Sequence, residues 1–219
     1  MLKLIIFSVF IWLWMTLFSV QASNRNKNSR SNGLPDSTRI PVEGLINRNG
    51  DIHSALDSIG RLFNCRVKVK HSAISTTMNA RPVITSLFSK SRNRQYVIRI
   101  NNQQSFHGVS YDNIPEDARI GLWVHELMHI DDYQNRSVFG VIKRGWQYLS
   151  KSGKAKFEWE IDQKVIEAGY GYHLYCWINY VLHESDASEA YRKFKSSIYM
   201  NPDDVIERMY EKALISVSD

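Results

Sequence analysis

The sequence has few of the residues that build small crosslinked or repetitive proteins. Only 2 of its 219 residues are cysteine, too few for a disulfide scaffold or a cysteine-rich zinc module. Glycine occurs 11 times and proline 5 times, which excludes a collagen-like or low-complexity chain. The hydrophobic share of 43% is instead typical of a globular protein. The length suits one domain with a sizeable core, or at most two small domains.

The sequence also lacks the charge pattern of a nucleic-acid-binding protein. No segment combines a stripe of Lys and Arg with interleaved aromatic residues. The formal net charge of +6 is a mild excess that favours acidic surfaces or substrates. We therefore expect no nucleic-acid partner.

Residues 1–22 have the pattern of a secretory signal peptide. Lys3 precedes an almost unbroken apolar run over residues 4–20, and Ala22 supplies a small residue at the cleavage position. The alternative is an uncleaved membrane anchor, for which this run is short compared with the usual span of about 20 residues. Both interpretations predict an exported protein, periplasmic or secreted. They predict contact with a membrane only if the segment is retained.

The chain after the signal segment divides into two parts. Residues 23–39 are polar and predict a flexible tether, while residues 40–219 predict the folded domain. In an oxidising compartment Cys65 and Cys176 could form a disulfide, although the sequence leaves open whether the two residues meet.

Hydrophobic periodicity predicts strands first and helices later in the folded domain. The predicted strands are Cys65–Lys70, Arg81–Leu87 and Tyr96–Ile100. The predicted helices are 51–63, a helix with Pro115 in its first turn and apolar residues at 120, 124 and 127, an amphipathic helix within 134–152, a long helix over Lys154–Leu182 bent at Gly169 or Gly171, and a helix that starts at Asn201. This order predicts an α+β fold in a single domain, with a small mixed sheet packed on helices.

One short motif carries residues that can perform chemistry. His125 and His129 are four residues apart, so on a helix both side chains lie on one face and can bind one Zn²⁺. Glu126 is rotated by about 100° from His125, so it need not bind the metal. It can instead take a proton from a metal-activated water. This is the His-Glu-x-x-His arrangement of zinc metallopeptidases.

A catalytic zinc site needs a third protein ligand, and two acidic residues are candidates. Glu158 and Asp162 share a helix face, so Glu158 can bind zinc while Asp162 accepts a hydrogen bond from a zinc-bound imidazole. Glu160 is the alternative ligand, although it lies about 160° around the helix from each of the other two.

The motif with Glu-x-x-x-Asp on the next helix resembles the gluzincin metallopeptidases, in particular small single-domain members exported in bacteria. The resemblance covers about residues 95–175. It implies a helical zinc-metallopeptidase core that holds one Zn²⁺. Its implied residues are His125, His129 and Glu158 as ligands, Glu126 as the general base, and Asp162 as the hydrogen-bond partner of a ligand. Asp131 departs from the pattern, since this family tends to be apolar at that position.

The same resemblance implies further contacts to an extended substrate. Tyr96–Asn102 fits an edge strand beside the cleft by its position, although a core strand is an equal alternative. Asn101 could bind substrate amides. Apart from the resemblance, the cluster of residues after Gly169 makes Tyr170 and His173 candidates for stabilising an oxyanion, provided that a bend at Gly169–Gly171 brings the side chain back to the site.

The sequence therefore predicts an exported zinc-dependent peptidase that acts on a peptide or protein substrate. Two alternatives remain open. One is a non-catalytic zinc-binding envelope protein that uses the same residues. The other is a membrane-tethered interaction module without metal, in which both histidines belong to the core.

Overall fold

A computed structural model describes residues 65–218 of the chain. The predicted signal segment 1–22, the tether 23–39 and the helix predicted over 51–63 lie outside the described residues. Within residues 65–218 three strands precede six α-helices, which agrees with the α+β class. The elements are β1 (Arg66–Ser72), β2 (Met78–Pro82), β3 (Gln95–Asn101), α1 (Glu116–Gln134), α2 (Val138–Gln147), α3 (Lys151–Glu167), α4 (Gly171–Asn179), a π-helical turn (Tyr180–Glu184), α5 (Glu189–Ser196) and α6 (Pro202–Ser218).

The three strands form a mixed sheet with β3 in its centre. β3 runs parallel to β1 and antiparallel to β2. Alternate residues of β3, Tyr96, Ile98 and Ile100, are buried, as expected for a strand with one face on the core. Because both edges of β3 are already paired, it cannot pair with a substrate. The prediction that Tyr96–Asn102 forms an edge strand is therefore wrong, and the core-strand alternative holds.

The strand predicted over Arg81–Leu87 is also misplaced, because β2 ends where that segment begins. Ile84–Ser86 is a short 3₁₀ turn instead. The Ser86 hydroxyl accepts a hydrogen bond from the backbone N–H of Gln95 at 2.9 Å and donates to the Val83 carbonyl at 2.8 Å. The Ser86 side chain thus bonds to the backbone of Gln95, where the backbone of a continuing strand would otherwise have paired.

α1 is the central helix of the domain and packs against β2, α3 and α4. Fourteen of its 19 residues are buried, so it is covered on most of its circumference. Pro115 stands at the N-cap rather than in the first turn, where Glu116 and Asp117 complement the positive end of the helix dipole. The histidine motif therefore lies inside the domain.

The long helix predicted over Lys154–Leu182 is broken into α3 and α4. Gly169 adopts a φ of +91°, a left-handed conformation that favours glycine. The backbone N–H groups of Gly169 and Tyr170 bond to the carbonyls of Ile166 and Val165, which closes the end of α3. The predicted bend is therefore a complete break at Gly169.

Two further observations concern the cysteines and the helices. Cys65 and Cys176 are both free thiols, so the disulfide that an oxidising compartment would allow is not formed in this structure. Within residues 65–218, none of the helices combines the length and the apolar character needed to cross a bilayer.

The close approach of α1 and α4 gives a test of the fold. A Cβ at Gly121 would lie 2.0 Å from the carbonyl oxygen of His173, so Gly121→Ala must push the two helices apart. We expect this variant to lower the free energy of unfolding by about 1–3 kcal/mol, measured by urea denaturation.

The matched control is Gly145→Ala in α2. A Cβ at Gly145 meets no atom within 4 Å. Its only expected effect is an increase in the free energy of unfolding of up to about 1 kcal/mol, because alanine has a better helix propensity than glycine. Equal effects of the two substitutions would contradict the described packing of α1 on α4.

Candidate metal centre

Three ligand atoms from two helices meet at one point. α1 presents His125 and His129 one turn apart on the same face, and the packing of α3 on α1 brings Glu158 opposite them. The two Nε2 atoms lie 3.2 Å apart. The Oε2 atom of Glu158 lies 3.2 Å from each of them. The ligand atoms thus form a nearly equilateral triangle.

The triangle has the size that a tetrahedral metal ion requires. Zinc bonds of about 2.0–2.1 Å place neighbouring ligand atoms about 3.3 Å apart, close to the observed separations. Two imidazoles and one carboxylate are also a typical ligand set of catalytic zinc sites. All three residues are buried, and together they could hold one metal ion.

Asp162 fixes the orientation of His125. Its Oδ1 lies 2.8 Å from His125 Nδ1, while its Oδ2 accepts a hydrogen bond from the backbone N–H of Met200 at 3.2 Å. Because a carboxylate accepts hydrogen bonds, this contact assigns a proton to Nδ1 and turns Nε2 toward the triangle. The structure therefore brings Asp162 to the position that the resemblance implies.

His129 is oriented by ring packing rather than by a carboxylate. Its ring stacks on Tyr133 at 6.1 Å between centroids and meets the Phe157 ring edge-on at 5.1 Å. Its Nδ1 is buried and has no hydrogen-bond partner. The two histidine rings are thus oriented by different interactions.

Glu158 is held ionised and is fixed at both of its oxygens. Burial opposes ionisation, but charge on His129 and hydrogen bonds from both imidazoles hold the pKa of Glu158 well below its usual value. Its Oε1 accepts a hydrogen bond from the Tyr148 hydroxyl at 2.6 Å. Burial and the charge of Glu158 raise the pKa of Tyr148 above its usual value, so this hydroxyl keeps its proton and remains a donor.

Two tyrosines at the cluster were not found from the sequence. Tyr148 lies in the short connection between α2 and α3, and the ring of Tyr199, between α5 and α6, lies 5.6 Å from that of His125. Neither stands at a helical spacing from the motif, so no local pattern could identify them.

Glu126 follows His125 in the sequence and is not one of the three ligands of the triangle. It is buried, and its Oε2 has no hydrogen-bond partner. Its charge acts on Tyr133 and Tyr199, which pack on His129 and His125. A buried carboxylate oxygen without a partner is costly, so a bound group that donated a hydrogen bond to this atom would relieve that cost.

Glu160, the alternative third ligand, belongs to an ion network on the other side of α3. Arg144 of α2 bonds to Glu160 at 2.5 Å and to Asp132 of α1 at 2.9 Å, which links three helices. Asp131, the departure from the family pattern, pairs with Lys164 at 2.9 Å. Both acidic residues are thus engaged away from the triangle.

The remaining candidate residues do not reach the cluster. The amide nitrogen of Asn101 donates to two backbone carbonyls in the loop between β1 and β2. His173 lies 3.9 Å from Asp117, two helical turns or about 12 Å along α1 from His125. Tyr170 packs against His173 at 5.7 Å between ring centroids. The break at Gly169 does not return these side chains to the triangle.

The two candidate third ligands can be separated by metal content. We expect Glu158→Ala to lose at least tenfold in metal affinity, because it removes one of three protein ligands. Glu160→Ala should retain stoichiometric metal, since its carboxylate pairs with Arg144. Metal per chain after dialysis, measured by mass spectrometry, decides between them, and loss of metal from Glu160→Ala alone would contradict the assignment.

Metal binding should also release protons. Burial alone would lower the pKa of His125, but hydrogen bonds to Asp162 and Glu158 outweigh it and raise the pKa to about 10 in the metal-free protein. The imidazole is then protonated at pH 7, and a metal ion must displace the Nε2 proton. We expect about one proton to be released per ion, and affinity to rise with pH up to about 10.

Calorimetric titration with Zn²⁺ in buffers of different ionisation enthalpy counts these protons. Glu126→Gln is the matched control, since it changes a neighbouring carboxylate that is outside the triangle. Binding of zinc with no proton release at pH 7 would show that His125 is neutral before the metal arrives.

The described geometry thus provides a buried His-His-Glu cluster that could hold a metal ion, supported by Asp162 and Tyr148. Comparisons with known protein families, curated proteins and solved structures gave no match. The site is therefore interpreted from its own geometry and chemistry.

Proposed function

We propose that the protein is an exported zinc-dependent peptidase of the gluzincin type. The observation that carries this proposal is a triangle of ligand atoms sized for one ion, together with the buried, unpartnered carboxylate oxygen of Glu126, the residue next to the ligand His125. A site that only held a metal would not need a second buried acid without a partner at this position.

In the proposed reaction, the metal ligands and Glu126 have different roles. Zinc held by His125, His129 and Glu158 would supply Lewis acidity, which makes water a better nucleophile at neutral pH and polarises a carbonyl. Glu126 accepts the proton of the attacking water and returns it to the nitrogen of the leaving amine. No covalent bond between enzyme and substrate forms in this scheme.

Other side chains keep this arrangement in place. The Asp162 carboxylate keeps the Nδ1 proton on His125, so that Nε2 is the nitrogen that would lose its proton and bind the ion. The Tyr148 hydroxyl holds Glu158 Oε1, which leaves Oε2 directed at the two imidazoles. The substrate of this reaction would be a peptide or protein.

A non-catalytic zinc protein is the second candidate, and the burial of the ligands favours it. His125 and His129 are 3% exposed and Glu158 is 1% exposed, whereas a catalytic ion must admit water and substrate. In that case the same three ligands would hold α1 against α3, and zinc would act as a structural link.

Glu126→Gln distinguishes the two candidates. We expect this variant to keep stoichiometric zinc and to lose hydrolysis of a quenched-fluorescence peptide library by a factor of about 10²–10⁴, because the proton acceptor is gone. Glu167→Gln, at the exposed end of α3, is the control and should behave like the unmodified protein.

Each result has a definite meaning. Unchanged hydrolysis by zinc-loaded Glu126→Gln would refute the role of Glu126. Stoichiometric zinc in the unmodified protein without cleavage of any library member would support the non-catalytic candidate.

A further inference from the structure

Two lysine ammonium groups near the metal cluster rest on aromatic rings. Lys195 Nζ lies 4.2 Å from the centre of the Tyr199 ring. Lys154 Nζ lies 4.8 Å from the centre of the Phe194 ring and 5.3 Å from that of Tyr148. Within residues 65–218, no carboxylate forms an ion pair with either ammonium, unlike the paired Arg144 and Lys164.

One aromatic residue under each lysine contacts a metal ligand. The Tyr199 ring lies 5.6 Å from that of His125, so the two distances place Lys195 Nζ within about 10 Å of the His125 ring. Tyr148 bonds directly to Glu158. The two ammonium groups, one from α3 and one from α5, therefore lie beside the metal cluster.

Both positive charges are partly removed from water. Lys195 is only 9% exposed, and burial lowers the pKa of Lys154, as do the neighbouring charges of Lys195 and Arg81. Glu158 raises the pKa of Lys154, but its two oxygens already serve the imidazoles and Tyr148.

A buried cation without a counter-ion is costly, and contact with a ring recovers only about 0.5–2 kcal/mol. An anion that reached both ammonium groups would relieve their mutual repulsion and gain charge-assisted hydrogen bonds. Lys195 and Lys154 thus have the chemistry of an anion-binding pair rather than of a solvated surface.

We infer that Lys154 and Lys195 bind a carboxylate of the substrate next to the metal cluster. This inference rests on the proposed peptidase function and adds a substrate class to it, namely peptides with an acidic side chain or a free C-terminal carboxylate. An extended peptide advances about 3.3–3.6 Å per residue, so a distance of about 10 Å places that carboxylate within about three residues of the scissile bond.

Binding is measured by calorimetry on the full-length, zinc-loaded Glu126→Gln protein, which should not cleave its ligand. Four probes separate the two sources of a carboxylate. They are acetyl-tetraalanine with a free C-terminus, the same peptide amidated, and amidated acetyl-Ala-Ala-Glu-Ala and acetyl-Ala-Ala-Gln-Ala. We expect at least one anionic probe to bind about tenfold or more tightly than its neutral counterpart.

Lys154→Met and Lys195→Met should each remove this preference while leaving the affinity for the neutral peptides unchanged. The matched controls are Lys156→Met and Lys193→Met, which change exposed lysines on the same two helices and should keep the preference. The comparison of peptides in the parent protein does not depend on whether the lysine variants fold.

A preference for the free C-terminus alone identifies a terminal carboxylate, and a preference for the Glu peptide alone identifies an acidic side chain. Equal affinities for all four probes, or no measurable binding, would overturn the inference. A preference that survives in both Lys154→Met and Lys195→Met would also overturn it. Cleavage by the unmodified protein is scored separately, so a peptidase without anionic preference is distinguishable from a protein that binds the anion but cleaves nothing.

Discussion

The structure depends on the mutual contact of two imidazoles and one carboxylate inside the domain. His125, His129 and Glu158 place three ligand atoms 3.2 Å from one another, where water has little access. Such a group is expensive to bury unless a proton or a cation joins it. A metal ion satisfies all three atoms at once, which gives a physical reason for keeping them together in the core.

The surrounding chain holds this contact from two sides. On one side Asp162 links His125 of α1 to the backbone of Met200, so the segment before α6 also supports the ligand. On the other side Arg144 joins α1, α2 and α3 through Asp132 and Glu160. The two networks together fix the separation of α1 and α3, and this separation sets the size of the triangle.

Local spacing made the centre of the site predictable. The intervals between His125 and His129 and between Glu158 and Asp162 each correspond to about one helical turn, so sequence alone places each pair on one face. The packing of α1 on α3 was then the only non-local step required. The α+β class followed in the same way from the order of periodic segments.

The remaining features depend on contacts between distant parts of the chain. That β3 is the central strand follows from which strands pair, and periodicity within β3 does not encode this. Tyr148 and Tyr199 reach the ligands from connections between helices, and Lys195 arrives with α5, far from the motif in sequence. Such positions are set by tertiary packing, which a pattern along one segment cannot reveal.

Anomalous diffraction from crystals of the zinc-loaded protein, recorded on both sides of the zinc absorption edge, tests the central claim most directly. We expect one strong peak about 2.0–2.2 Å from Nε2 of His125, Nε2 of His129 and Oε2 of Glu158. The account would be contradicted if zinc were bound at full occupancy only at other residues and no peak were found in this triangle.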